Sequence, residues 1–197
     1  MAGEESDEDL MLLVAAGSDA ALRELMRRYA APLYRFVARH GVVRDAEDLC
    51  QEAWLRVVRS ARRFDRTRRF STWLFQIALN LCRDWHRRPP PDPVDFSDES
   101  TTGRRETNVL VPSDGAQTVA ATEAALDARR LLAALPEAQR SALLLRYYHG
   151  FSEAETAEIL GCPRGTVKSR LHQAVARLLA LGGGDSLFDL GKEKARP

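Results

Sequence analysis

Ten arginines and five aromatic side chains are crowded into residues 56–88. Guanidinium groups can hold a phosphate backbone, while aromatic faces can stack on unpaired bases. Asn80, in the same block, could hydrogen-bond an extruded base. The block therefore favours binding of single-stranded or opened DNA over binding of an intact duplex. Core packing is the alternative role for each aromatic, and for Trp73 and Trp85, which lie on an apolar helical stripe, both roles are about equally favoured.

A second chemical pattern, typical of a helix-turn-helix, covers residues 152–181. Ser152 followed by Glu155 forms a capping box, which predicts that a short helix begins there. Gly161 can adopt the left-handed conformation that ends this helix before a second one. The outer face of the second helix holds side chains suited to phosphates and base edges in a major groove, namely Arg164, Lys168, Ser169, His172 and Gln173. The alternative is a helical hairpin with a solvated polar face.

The elements around these patterns are helical, and no segment shows the alternation of a β-strand. Residues 1–88 and 123–181 have apolar side chains at helical spacing. Residues 89–122 begin with PPPDP and are acidic, which predicts a flexible linker. Residues 182–197 begin with three glycines and predict a flexible tail. The predicted fold is all-α, with two small helical domains on a linker, and Asp45 is expected to cap a helix of the first domain.

Composition excludes several classes of function. The chain has 197 residues, of which 45% are hydrophobic, and no apolar run approaches the ~18–20 residues that span a bilayer. An acidic N-terminus and three isolated cysteines favour a cytoplasmic protein without disulfides. Cys82 and His86 are one helical turn apart, but a buried cysteine beside a helix-end histidine explains them better than a metal site. With no phosphate loop, HExxH or nucleophile motif, we expect no enzyme activity, metal or cofactor.

Three stretches together resemble conserved regions 2 and 4 of the sigma-70 family of RNA polymerase sigma factors. They are DAEDLCQEAWLRVVRSARRFD, RRFSTWLFQIALNLCRDWHRR and LPEAQRSALLLRYYHGFSEAETAEILGCPRGTVKSRLHQAVARL. They span roughly residues 8–88 and 124–181, in the order of the family. Because no folded middle domain separates them, the chain resembles the small extracytoplasmic-function (ECF) group.

The resemblance implies that the first domain binds the clamp helices of the polymerase largest subunit. The residues implied in that contact are Asp48, Gln51, Glu52 and Trp54. The same domain would read the −10 promoter element as a melted strand. The matching positions are Arg69, Phe70, Ser71, Thr72, Trp73, Phe75, Asn80, Arg83 and Trp85. Asn80 aligns with a position that the family uses near a flipped base.

The second domain would read the −35 element as duplex DNA and contact the polymerase flap. The matching positions are Arg164, Thr166, Lys168, Ser169, Arg170, His172 and Gln173. The linker would run through the polymerase cleft. An anti-sigma factor that covers both domains is a further partner implied by the family.

The main alternative is a helix-turn-helix transcriptional regulator that binds duplex DNA without core polymerase. Such a regulator would need a sensor or dimerisation domain at its N-terminus. The basic and aromatic block occupies that part of the chain instead. Dependence of promoter binding on core polymerase would distinguish the two classes.

Overall fold

The computed structural model describes residues 5–87 and 128–181, which form two helical bundles without a β-strand. The N-terminal bundle comprises α1 (Asp7–Ala15), α2 (Asp19–Arg39), α3 (Ala46–Ser60), a 3₁₀ turn (Ala61–Arg63) and α4 (Phe70–Arg87). The C-terminal bundle comprises α5 (helical residues 128–133), α6 (Glu137–Leu143), a π-helical turn (Leu144–Tyr148), α7 (Glu153–Leu160) and α8 (Arg164–Ala180). The all-α class is thus confirmed. The predicted linker and tail lie outside the described residues, and the domain boundaries stay a prediction.

The first two helices of the N-terminal bundle begin at serine caps. The Ser6 hydroxyl accepts a hydrogen bond from the Asp9 amide at 3.1 Å, and the Ser18 hydroxyl accepts one from the Ala21 amide at 3.3 Å. Each such cap satisfies a donor that the helix itself leaves unpaired and contributes about 1 kcal/mol. Gly17 between them has φ +94°, a left-handed conformation that allows the tight reversal from α1 into α2.

Helix α4 lies at the centre of the N-terminal bundle, packed against α1, α2 and α3. Its first residue, Phe70, donates its backbone amide to the Glu8 carboxylate at 2.9 Å, so a side chain from α1 caps the start of α4. The buried face of α4 includes Phe70, Leu74 and Leu79, none of which has exposed surface. Because these side chains are buried, only the other faces of α4 are accessible to a binding partner.

Asp45 is placed differently from the expectation. It precedes α3 as predicted, but its side chain makes no capping hydrogen bond there. Instead its Oδ2 atom accepts a hydrogen bond at 2.7 Å from Nε1 of Trp85, at the far end of α4. The half-buried indole N–H of Trp85 needs a hydrogen-bond acceptor, and the Asp45 carboxylate provides one.

The C-terminal bundle has the helix-turn-helix that the sequence predicts. The Ser152 hydroxyl accepts from the Glu155 amide at 3.2 Å, and the Glu155 carboxylate accepts from the Ser152 amide at 2.8 Å. This reciprocal capping box begins α7, and Gly161, with φ +64° and ψ +40°, ends it. Helix α8 packs its buried side chains, among them Val167, Leu171, Ala174 and Leu178, against α6 and α7.

The two bundles pack against each other, an arrangement that the sequence does not predict. The Phe75 ring of α4 contacts Phe151, with ring centroids 5.1 Å apart. His40, at the end of α2, is 1% exposed, and its Nε2 lies 3.0 Å from the Ser141 hydroxyl of α6. The buried side chains of both bundles consequently form one continuous hydrophobic core.

Candidate nucleic-acid and protein interfaces

The outer face of α8 is exposed along most of its length. Arg164, Lys168, Ser169, His172 and Gln173 are all exposed. The last four recur at three- and four-residue intervals, so they share one face opposite the buried stripe of this helix. A helix with such a face has the dimensions and donors to enter a major groove.

Three of the predicted duplex-binding side chains also make local contacts. Arg170 is half-buried, with its Nη1 3.5 Å from the Cys162 sulfur in the turn. Thr166 is half-buried, and its backbone carbonyl accepts a hydrogen bond at 3.0 Å from the Ser169 hydroxyl. The Gln173 amide oxygen accepts one at 3.2 Å from Nε2 of Gln139. Arg170 therefore helps hold the turn in place. The structure favours the exposed side chains for direct contact with DNA.

A second surface runs along α4. Arg69 and Asn80 are exposed and Trp73 is half-buried. They occur four and seven residues apart, which puts them on one face of the helix. The Arg69 guanidinium can hold a nucleic-acid backbone, the Trp73 indole can stack on a base, and the Asn80 amide can hydrogen-bond a base edge.

The other predicted −10 residues do not lie on this line. Phe70 is 0% exposed, and its ring contacts Tyr29, Trp54, Phe64 and Trp73. Ser71 faces the Tyr29 phenol of α2. Thr72 and Phe75 are 1% and 2% exposed, and the Phe75 ring contacts Phe36 of α2 as well as His149 and Phe151 of the C-terminal bundle.

Two further predicted −10 residues are held by specific partners. Trp85 is turned towards Asp45, and Arg83 is hydrogen-bonded to Glu137 of α6 at 3.1 Å. For Phe70 and Trp85 the structure favours a packing role within the N-terminal bundle. For Arg83 it shows a contact across the two bundles.

A third surface lies on α3. Asp48 and Gln51 are exposed, and Leu55 and Val58 extend the same line of the helix with 49% and 46% exposure. Neither Leu55 nor Val58 is among the residues predicted for polymerase binding. The spacing of apolar residues puts Val58 on the buried stripe of α3, but the structure leaves it 46% exposed. Leu55 lies outside that stripe, and an apolar side chain in such a place indicates a contact surface.

The two remaining residues predicted for polymerase binding are less accessible. Trp54 is 7% exposed, and the Glu52 carboxylate accepts a hydrogen bond from Arg56 at 2.9 Å. Trp54 nevertheless lines an apolar groove of about 340 Å³ between α2 and α3. The other lining residues are Leu22, Met26, Ala30, Ala31, Tyr34, Glu47, Cys50, Gln51, Leu55 and Val58.

The N-terminal bundle has two thiols, the half-buried Cys50 and the buried Cys82, and neither is in its reactive form. Burial raises the pKa of Cys50 to about 12, and it raises the pKa of Cys82 to about 12 as well. Both thiols consequently stay protonated near neutral pH, whereas a nucleophilic or metal-binding cysteine needs the thiolate. No group of three or more potential metal ligands occurs among residues 5–87 and 128–181.

The same two parts of the chain match models of known families. Residues 25–89 match Sigma-70 region 2, and residues 125–178 match Sigma-70 region 4. The chain is 34% identical over 165 residues to the ECF RNA polymerase sigma factor SigW of Bacillus subtilis. That match covers 81% of this chain and 88% of SigW.

Solved structures share the fold. The structure of CnrH in complex with the cytosolic domain of CnrY matches with a TM-score of 0.70 at 24% identity, covering 92% of this chain and 99% of CnrH. The sigma factor RpoE of Bartonella quintana, in complex with the anti-sigma factor NepR, matches with a TM-score of 0.63 at 24% identity. That match covers 83% of this chain and 97% of RpoE.

A membrane-spanning role finds no support in the described helices, none of which is long and apolar enough to cross a bilayer. Region 2 precedes region 4 in this chain, and the match to SigW covers most of that protein's length. The chain therefore belongs to the sigma-70 family of RNA polymerase sigma factors, and within that family to the ECF group.

Proposed function

We propose that this sigma factor divides promoter recognition between its two bundles. The C-terminal bundle reads a duplex −35 element with α8, and the N-terminal bundle captures a melted −10 strand with α4. The observation that supports this division most directly is the exposed polar face of α8 on a helix-turn-helix whose other face is fully packed.

The exposed side chains of α8 divide into two groups by the contacts that they can make with DNA. Lys168 and Arg164 can pair with phosphates, which sets the register of the helix on the duplex. Ser169, His172 and Gln173 lie where base edges would be read, and a glutamine amide suits adenine. Arg170 acts by holding the turn.

Capture of the −10 strand depends on binding unpaired bases. Opening a duplex loses stacking of about 1.4 kcal/mol per step. Stacking of a base on an aromatic side chain recovers about 1–3 kcal/mol. Trp73 and Asn80 are the side chains on α4 that are accessible for such contacts, with Arg69 beside them for the backbone.

Core polymerase is the partner proposed for α3. An amphipathic helix that enters an apolar groove is a common mode of recognition, with charged residues at the margin setting orientation. The groove between α2 and α3, with Asp48 and Gln51 along its side, fits a clamp helix that has apolar and basic residues. We place the protein in the cytoplasm with the polymerase and assign it no catalytic step of its own.

An anti-sigma factor completes the proposed set of partners. RpoE of Bartonella quintana, which shares this fold, is bound by one. Co-purification of a small partner that is lost on induction would support such control here. A free and constitutively active protein would contradict it.

Core-dependent initiation is the test of the proposed function. Purified protein, bacterial core polymerase and a genomic promoter library should give transcript starts that share two upstream elements. Lys168→Ala should reduce initiation from these promoters about tenfold, because one phosphate or base contact is worth about 1–3 kcal/mol. Binding to core polymerase should stay unchanged. Promoter binding by the protein alone, without core-dependent starts, would favour the helix-turn-helix regulator.

Leu55→Glu should weaken binding to core polymerase. The side chain is 49% exposed at the edge of the groove, so the substitution leaves the core intact while it puts a charge where an apolar partner is expected. We expect about a tenfold rise in the dissociation constant, measured by fluorescence anisotropy with labelled sigma factor. Leu13→Glu on α1, with 41% exposure, is the matched control. Equal effects of the two changes would contradict this docking site.

A further inference from the structure

Helix α1 begins with three consecutive acidic residues, Asp7, Glu8 and Asp9. Acidic side chains in a first turn stabilise a helix through its dipole, and that local role needs no partner elsewhere in the protein. In this chain each of the three carboxylates also contacts a different part of the N-terminal bundle. These contacts connect α1 to the helix that holds the proposed −10 surface.

The first of the three carboxylates attaches α1 to α2. Asp7 Oδ1 accepts a hydrogen bond at 2.8 Å from Nη1 of Arg28, and Asp7 Oδ2 accepts one from the Tyr29 hydroxyl. Leu10 and Met11, on the same helix, are buried in the core. Helix α1 therefore has a fixed position from which the next two carboxylates can act.

The other two carboxylates reach the connecting loop (residues 64–69) and the first residue of α4. Glu8 Oε1 accepts a hydrogen bond at 2.9 Å from the Phe70 amide, and Asp9 Oδ1 lies 3.5 Å from Nη2 of Arg66. The pair of Asp9 with Arg66 is exposed, so it contributes little. The bond to Glu8 is half-buried and satisfies an amide that α4 itself leaves without an acceptor. Glu8 is thus the main contact of α1 with the start of α4.

The bond to Glu8 is close in the backbone to two side chains of the proposed −10 surface. Arg69 directly precedes Phe70, and the Trp73 amide donates to the Arg69 carbonyl at 3.2 Å. The position of the Phe70 amide consequently determines where Arg69 and the first turn of α4 lie. Helix ends fray when their terminal amides lose their partners, and fraying here would leave both side chains without a fixed position.

The connecting loop is itself ordered and packs on the same surface. Asp65 Oδ1 accepts hydrogen bonds from the Thr67 amide at 2.9 Å and from the Thr67 hydroxyl at 2.8 Å. The Arg68 amide donates to the Asp65 carbonyl at 3.0 Å, which closes a turn. At the start of the loop, the Phe64 ring lies 5.0 Å from the Trp73 ring, measured between centroids. A shift at the start of α4 would therefore also disturb the packing around Trp73.

We propose that Glu8 is a positioning residue for capture of the −10 strand. Its carboxylate holds the start of α4, so that Arg69 and Trp73 meet the unpaired strand in a fixed geometry. This inference rests on the proposed function of α4. Glu8 acts through the helix and makes no contact with DNA itself. Because the two side chains are ordered before the strand arrives, binding does not lose that conformational entropy.

The test uses Glu8→Ala and Glu8→Gln in the full-length chain, each assembled with core polymerase. The probe is the non-template strand, about 20 nucleotides long, of a promoter selected from the genomic library. Alanine removes the acceptor and should weaken binding of this strand about fivefold, measured by fluorescence anisotropy. Glutamine keeps an oxygen acceptor and should restore the affinity to within about twofold of the wild type. The affinity for core polymerase should be the same for all three proteins.

Ser18→Ala is the matched control, because it removes the corresponding cap of α2 and leaves the contact of Glu8 with α4 intact. If Ser18→Ala weakens binding of the strand as much as Glu8→Ala does, general destabilisation explains both results and the positioning role is rejected. Unchanged binding by Glu8→Ala, or equal weakening by Glu8→Gln, rejects it as well.

Asn80→Ala separates failure of the positioning role from failure of the proposed function. Asn80 is exposed on α4, far from the cap, and its loss should weaken binding of the strand about fivefold. If Asn80→Ala has this effect while Glu8→Ala has none, α4 captures the strand without help from Glu8. If Asn80→Ala has no effect, or if the library gives no core-dependent promoter, the proposed function fails and the positioning role fails with it.

Discussion

Replacement of Phe70 by alanine should lower the free energy of unfolding by about 3–5 kcal/mol, the usual loss for a buried aromatic side chain. Phe70 has no exposed surface. Its ring meets Tyr29 edge-on at 5.3 Å and lies 6.4 Å from Trp54, measured between centroids. Alanine would leave a cavity among aromatic rings that cannot easily close around it. Urea unfolding followed by circular dichroism measures the loss directly.

Phe70→Leu separates the packing role of this residue from a role in binding DNA. Leucine fills most of the cavity and should cost about 1–2 kcal/mol, but it has no aromatic face to stack on a base. With core polymerase, the folded leucine variant should open promoters as the wild type does. A folded Phe70→Leu protein that binds polymerase and fails to open promoters would show that the ring contacts DNA. A loss below about 1 kcal/mol in Phe70→Ala would contradict the packing role.

Local structure was predictable because each signal lies within a few residues. Ser152, Glu155 and Gly161 indicate the beginning and end of α7 by type and spacing alone, and the structure confirms all three. The face of α8 follows from the same periodicity. Such predictions depend on rules of capping and helical spacing that hold whatever the rest of the chain does.

Which aromatic side chains of residues 56–88 are buried and which are accessible was not predictable in the same way. Phe70 and Trp73 are three residues apart in a segment rich in both arginine and aromatics, yet one is fully buried and the other half-exposed. The difference depends on how α4 is rotated against α1, α2 and α3, which residue types do not reveal. The pair of Trp85 with Asp45 has the same origin, since its partners are separated by 40 positions.

The packing of the two bundles was even less predictable from the sequence. Arg69 and Glu155 are 86 positions apart, and in sequence each belongs to a different functional pattern. Arginine in a basic block indicates a polyanion, and glutamate in a capping box indicates a helix start. Both interpretations hold in the structure, but each side chain also serves as the other's partner. A residue that fits one role locally can therefore take a second role that only the tertiary structure reveals.

Acidification from pH 7 to pH 5 should lower the free energy of unfolding by about 2 kcal/mol through His40 alone. Burial, helped by the nearby charges of Arg140 and His86, lowers the pKa of His40 to about 4. Its hydrogen bond with the Phe36 carbonyl and the charge of Glu137 oppose that shift only in part. Because the unfolded chain has the ordinary histidine pKa of about 6.5, it binds more protons than the folded chain between these values. Stability is therefore complete above pH 6.5 and is lost as the pH falls towards 4.

His40→Gln provides the variant for this test, because an amide can still hydrogen-bond the Ser141 hydroxyl but does not titrate. In urea unfolding at pH 7, 6 and 5, the free energy of unfolding should depend less steeply on pH for His40→Gln than for the wild type. His172→Gln, which changes an exposed histidine of α8, should keep the wild-type dependence. Burial raises the pKa of the half-buried Glu137 carboxyl, but the hydrogen bonds from Ser141 and Arg83 outweigh it and lower that pKa below its ordinary value. Glu137 therefore stays ionised over that range, and the difference in slope belongs to the imidazole. Parallel slopes for His40→Gln and the wild type would mean that His40 is accessible to protons in the folded chain, and hence that the bundles already separate around it near neutral pH.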